Sequence, residues 1–243
     1  MEKKENTFLH LIVQQMLQEK MSALPYMSPI PSERELCEEY SVSRPTIRKA
    51  LSELEQAGLL TRIHGRGSFY IGNKLSIDYS GEKSNGLGLT QVFTSTGKVI
   101  RSRVLQQVAE IPEPKISEKL QISEKELVFH LQRLRYVNEE FCFLANDYIP
   151  LKICPNLINA DFSQASLLKT LQENNVIPHR EEKIIEFMHA TPTTAAYLNL
   201  KKGDPISVTR IITYDKSGQI IQYATSKTDA YKSTFRITST LQN

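Results

Sequence analysis

A chain of 243 residues, 40% hydrophobic and 23% charged, has the composition of a globular protein with one large or two small domains. Its formal net charge of +3 is too small to argue for a polyanionic partner, so any such signal has to be local. The three cysteines (Cys37, Cys142, Cys154) are too few and too scattered for a disulfide scaffold or a CxxC metal site. No apolar run reaches the ~20 residues of a membrane span and no signal-peptide pattern opens the chain, so the cytoplasm is the expected compartment.

The first expected element is a helix over residues 7–20, capped by Asn6 or Thr7, with Leu9, Ile12, Val13 and Met16 on its inward face. A second helix follows over 32–40. Ser32 and Glu35 have the spacing of a capping box, in which each side chain satisfies the other residue's backbone N–H. Leu36, Cys37 and Tyr40 face inward, and Val42 plugs the turn 41–43. Ser43 then caps a third helix, with Pro45 in its first turn, where a missing N–H costs nothing. Ile47, Ala50, Leu51 and Leu54 form its apolar stripe, and Arg44, Thr46, Arg48, Lys49 and Ser52 its outer face. Gly58 is placed to end that helix in the left-handed region.

Helix, short turn and helix with a basic, hydroxyl-bearing outer face is the layout of a helix-turn-helix. Two apolar strands, 59–63 and 68–71, follow, joined by His64-Gly65-Arg66-Gly67, whose glycines supply hairpin geometry and let the tip approach a phosphate closely. Charge is sorted by element: Glu33, Glu35, Glu38 and Glu39 lie on the second helix, whereas Arg44, Arg48, Lys49, Arg62 and Arg66 face only Glu53 and Glu55 thereafter. The run SERELCEEYSVSRPTIRKAL, then LEQAGLLTRIHGRGSF, resembles the winged helix-turn-helix of GntR-type bacterial transcription regulators. The resemblance implies DNA contacts from Arg34, from Ser43, Arg44, Thr46 and Arg48, and from His64, Gly65 and Gly67; Lys49 and Arg66 add charge to the same surfaces. The competing reading is a solvated basic face that contacts protein instead.

Residues 72–86 are polar and Gly/Ser-rich, the composition of a linker, which divides a DNA-binding domain (1–71) from a second domain (87–243). In the second part strands are expected at 99–108, 127–137, 141–149, 183–188, 206–214, 219–227 and 235–238, with helices at 114–120, 166–174 and 193–198. Two hairpins, one across Asn138-Glu139-Glu140 and one across Asp215-Lys216-Ser217-Gly218, make this an α+β domain around an antiparallel sheet.

In the strand holding Leu127, Phe129 and Leu131, period two places Arg133 and Arg135 on the same face. Guanidinium groups continuing an apolar face need a partner, either an anionic ligand or acids of the same domain. The stretches LQRLRYVNEEFCFLANDYIP and GDPISVTRIITYDKSGQIIQYATSKTDAY resemble the UTRA effector-binding domain of the HutC-type GntR branch, which has a chorismate-lyase-like fold. That resemblance implies an effector site with Arg133 and Arg135 as anion anchors, joined by Thr90 and Ser166. Its departures are Leu168, Ala145 and Gln222, where the family commonly has a tyrosine and two acids. The fold also hosts a lyase, so an enzyme is the alternative. However, no HExxH pattern, activated nucleophile or P-loop is present, and neither cofactor nor metal is expected. The expectation is a homodimeric repressor on a near-palindromic duplex operator, released by a phosphorylated sugar or a carboxylate metabolite, with no membrane partner.

Overall fold

The computed structural model describes residues 2–24, 26–72, 74–79, 93, 97–139 and 141–238. They fall into two compact units, Met1–Lys74 and Leu75–Asn243.

The first unit comprises α1 (Glu2–Met21), β1 (Ser28–Pro29), α2 (Glu33–Tyr40), α3 (Arg44–Gln56), β2 (Leu60–Ile63) and β3 (Gly67–Tyr70). Helix α2 opens with the expected box: the Glu35 N–H donates to Ser32 Oγ at 3.3 Å, and the Ser32 N–H donates to Glu35 Oε2 at 2.7 Å. Ser41 turns the chain in the left-handed region, and Val42 packs against the core between the helices. The α3 stripe is buried as expected, at Ile47, Ala50, Leu51 and Leu54. The helix ends in a Schellman motif: Leu59 N–H donates to Leu54 O, Gly58 N–H donates to Glu55 O, and Gly58 sits at φ +72°. Strands β2 and β3 form the wing hairpin, and β1 adds to β3 to give a three-stranded sheet.

Helix α1 joins this core through a row that shares only Val13 with the one expected. His10, Val13, Leu17 and Met21 are buried, while Leu9, Ile12 and Met16 are 38–54% exposed. The helix offers two apolar rows. The inward row is the one that lets His10 Nε2 meet Glu53 Oε1 on α3, at 3.0 Å. The helix also begins before Thr7, so neither Asn6 nor Thr7 caps it.

The second unit adds β4 (Leu75–Asp78), β5 (Ile100–Glu110), α4 (Pro114–Leu120), β6 (Val128–Val137), β7 (Phe141–Pro150), a 3₁₀ turn (Pro155–Asn159), α5 (Leu167–Glu173), β8 (Arg180–His189), α6 (Pro192–Leu198), β9 (Pro205–Tyr214), β10 (Ile220–Asp229) and β11 (Ser233–Arg236). An antiparallel six-stranded sheet runs in the order β5-β6-β7-β10-β9-β8, and β4 pairs in parallel with β11. The expected linker is thus interrupted by a strand. Leu75 and Ile77 alternate with Ser76 and Asp78 and bury at 2% exposure each, a period-two signal too short to stand out in a polar stretch.

The odd-numbered positions of β6 and β7 face α5 and the 3₁₀ turn, with Phe129, Leu131, Ile149, Leu157, Phe162, Leu167 and Leu171 in one core cluster. The even-numbered positions face α4 and α6, where Leu134, Leu144, Ala195, Leu198 and Val208 pack in one cluster and Leu120, Val128 and Tyr223 in another.

Candidate nucleic-acid interface and ligand cavity

Among the residues singled out in the winged unit, Arg34, Ser43, Arg44, Arg48, Lys49, His64, Gly65, Arg66 and Gly67 are exposed. Thr46 is not. It is 5% exposed, on the side of α3 that also buries Ile47 and Ala50, and its hydroxyl lies 2.8 Å from Ser43 Oγ. Thr46 therefore shapes the helix start from inside rather than lining the outer face, and the Ser43 hydroxyl makes no hydrogen bond to the α3 backbone. The wing tip holds Gly65 at φ +72° and Gly67 at φ +103°, a region closed to most side chains, and Arg66 lies 5.7 Å from the centre of the Phe69 ring.

Acids of the same unit hold several of these cations. Arg48 Nε donates to Glu33 Oε2 at 2.9 Å, and Arg62 lies 3.9 Å from the other Glu33 oxygen while donating to Glu55 at 3.0 Å. Arg34 stands 3.4 Å from Glu38. Such exposed pairs are each worth roughly 0–1 kcal/mol, weak enough for phosphate to replace the carboxylate.

On the odd face of the large sheet, beneath the start of α5, lies a cavity whose empty volume, open mouth included, is about 580 Å³. Arg133 and Arg135 line it from β6, Ala145 and Asp147 from β7, Gln222 and Ala224 from β10, Ile211 from β9 and Glu181 from β8, with Ser166, Leu167 and Leu168 above. Arg133 and Arg135 are 3% and 6% exposed. Arg133 Nη2 donates to Asp147 Oδ2 at 3.2 Å, and its guanidinium lies 5.8 Å from the Phe162 ring centre. Its Nε is buried without a hydrogen-bond partner among the described residues. Burial, reinforced by the neighbouring Arg133 and opposed by Asp147, pushes the Arg135 guanidinium down to about 9. Ser166 caps α5, its Oγ accepting from the Lys169 N–H at 3.5 Å. Thr90 lies outside the described residues.

The two readings left open for the arginine pair thus both have a physical counterpart: Arg133 has an acid of its own domain, and it also faces a cavity. Asp147 was not anticipated, and neither was Thr213, which donates to Gln222, the second partner of Asp147. Period-two alternation along β7 puts Asp147 on the face of Ala145, but only the register of β6, β7 and β10 brings it to Arg133 and Gln222. On the reverse face His130 stacks on Tyr148 at 4.2 Å, with Nδ1 2.8 Å from Glu110 and Nε2 3.2 Å from Asn146 Oδ1. Among the described residues no cluster of His, Cys, Asp and Glu could hold a metal, and no helix is long and apolar enough to cross a membrane.

A winged helix-turn-helix with a basic outer face, followed by an antiparallel-sheet domain with an arginine-lined cavity, is the build of a ligand-responsive DNA-binding regulator. Residues 12–69 match the gntR family of bacterial regulatory proteins and residues 95–232 match the UTRA domain. The chain belongs to the GntR family, in its UTRA-bearing form. Relatives include a probable fructoselysine utilization operon transcriptional repressor of Escherichia coli (strain K12), 31% identical over 88% of this chain and 85% of that one. Another is the HTH-type transcriptional repressor NagR of Bacillus subtilis (strain 168), 29% identical over 82% of this chain and 80% of that one. The fold is shared with PhnF from Mycobacterium smegmatis at a TM-score of 0.69 and 20% identity, covering 95% of this chain and all of that one. These relatives are named as transcription regulators, so the protein is a DNA-binding transcription regulator and the enzyme alternative is set aside.

Proposed function

We propose that the protein is a cytoplasmic, homodimeric repressor that leaves its operator when a small anionic metabolite enters the cavity of the second domain. The observation that carries the effector half is the buried pair Arg133 and Arg135 on a cavity wall, with one donor of Arg133 unspent. A desolvated guanidinium pair is stabilised by a phosphate or carboxylate, which fits its forked donors. Ser166 adds a hydroxyl, and Thr90 is assigned to the same site from the family resemblance. The relative named for a fructoselysine operon supports a sugar-derived effector.

For DNA, Arg34, Ser43, Arg44, Arg48 and Lys49 form the groove-facing surface and His64, Gly65, Arg66 and Gly67 the wing contact; Thr46 supports Ser43 from beneath. Two copies would read the halves of a near-palindrome. For the dimer, β8 is the candidate seam: it ends the sheet among the described residues and is ten residues long, with Ile184, Phe187 and Met188 exposed. The other edge, β5, carries a register shift between Val104 and Gln106, and Gln107 bonds to carbonyls of Ile158 and Ala160.

The test is operator binding of wild type and Arg133→Ala with and without a panel of phosphorylated sugars and carboxylates. The expected result is that one class of anion weakens wild-type binding, whereas the variant binds DNA normally and ignores the anion. An Arg133→Ala protein that is folded and still responds would remove the cavity from the account.

A further inference from the structure

The cavity wall carries more charge than an anion receptor needs. One strand away from the arginine pair, Asp147 spends one oxygen on Arg133 and accepts from Gln222 Nε2 on the other, at 2.8 Å. Gln222 is itself oriented, since Thr213 donates to its Oε1 at 3.2 Å. Thr213, Gln222, Asp147 and Arg133 are 0%, 5%, 8% and 3% exposed, so the carboxylate is held from the two strands that flank β7, with Thr213 of β9 behind Gln222, in a nearly dry wall. Beside it the wall is formed by Ala145 and Ala224, which leave room over the carboxylate. At the β8 end stands Glu181, already paired with Lys183.

An anionic group received by Arg133 and Arg135 lies next to Asp147 and draws Arg133 away from it. Asp147 then faces the ligand's negative charge with only the neutral Gln222 amide in support, and like charges at short range in a desolvated site repel strongly. A cationic group on the ligand, a few bonds from the anion, removes the conflict and replaces the ion pair that Arg133 gave up. A carboxylate with two bonds made retains acceptor capacity for such a donor. Resting on the reading of this cavity as the effector site, we propose that the effector is amphoteric: its anionic group engages Arg133 and Arg135, and a protonated amine close to it engages Asp147, which is the residue that selects for it.

Calorimetric titration of the full-length protein with phosphoethanolamine and with ethyl phosphate, which differ by the ammonium group, tests this. Wild type is expected to bind phosphoethanolamine about tenfold or more tightly than ethyl phosphate, the size of one charge-assisted hydrogen bond. The near-isosteric Asp147→Asn is expected to compress that ratio to about two- to threefold by the same arithmetic, while binding ethyl phosphate at least as well as wild type. Equal affinities for the two compounds in wild type, or a folded Asp147→Asn that keeps the preference, would overturn the proposal and leave the anion site standing. If neither compound nor inorganic phosphate binds wild type, and neither does the carboxylate pair β-alanine and propionate, the anion site itself falls and the proposal with it. The wild-type comparison decides the matter even if the variant does not fold.

Discussion

At Glu33 two charges compete for one carboxylate, Arg48 at 2.9 Å and Arg62 at 3.9 Å. If Arg48 meets DNA, its pairing with Glu33 gives it a defined direction but leaves a carboxylate beside it, which would repel phosphates and lower affinity for every duplex alike. Glu33→Gln should therefore tighten binding to random duplex more than to operator, so that selectivity falls; competition binding at fixed salt reads the ratio. Arg48→Ala should cost about 1–3 kcal/mol of discrimination if Arg48 makes a bidentate base contact, and unchanged binding would remove it from the interface. Arg135 makes a separate prediction. Its folded value lies below that of a guanidinium in water, so the cation is destabilised by folding, and that cost is present at neutral pH and fades only as pH rises past about 9. Arg135→Gln should leave the ligand-free melting temperature equal or higher and abolish the increase produced by anions, as a thermal-shift titration would show.

Two local devices set the start of α2 and the end of α3, and each has a measurable cost. Ser32→Ala removes the acceptor of the α2 capping box and should destabilise by about 1 kcal/mol. The Ser32 hydrogen bonds hold the Glu35 carboxyl below its usual range. Because that value is depressed in the folded state, its contribution is present at neutral pH and is lost as pH falls through the carboxylate range, so acid unfolding should begin earlier for wild type relative to its own neutral stability than for Ser32→Ala. Gly58→Ala forces a Cβ into the left-handed region with nothing within 4 Å to clash, so its cost of roughly 1–2 kcal/mol is backbone strain alone. These devices were readable because they are local: Ser32 with Glu35, Gly58, the two glycines of the wing and the hairpin turn at Asp215 declare themselves within a few residues. The register-dependent features were not. The inward row of α1 meets its partners on α3, including Glu53, more than thirty positions away, and Thr46 is buried by a helix phase that its polar side chain contradicts. Asp147 meets Arg133 only through strand pairing. Strand β4 acquires its partner at Ser233–Arg236, near the other end of the chain.

At the scale of the whole molecule, each unit has its own core, so DNA binding and ligand binding are separable properties that the chain must couple. Such coupling is typically about 1–3 kcal/mol, and it acts in both directions: operator DNA should weaken effector binding by the factor by which effector weakens operator binding. If β8 forms the dimer seam, Phe187→Lys should shift sedimentation from dimer to monomer and reduce operator affinity by loss of the second half-site, leaving the winged unit intact. The most direct test of the central claim, that the exposed face of α3 and the wing read duplex DNA, is selection of genomic fragments by the purified protein at moderate salt, followed by footprinting. The expected result is enrichment of near-palindromic sites, bound about 10³-fold or more tightly than random duplex, with protection centred on two half-sites one helical turn or a multiple of it apart. Retention of genomic and random fragments alike, with and without added metabolites, would contradict it.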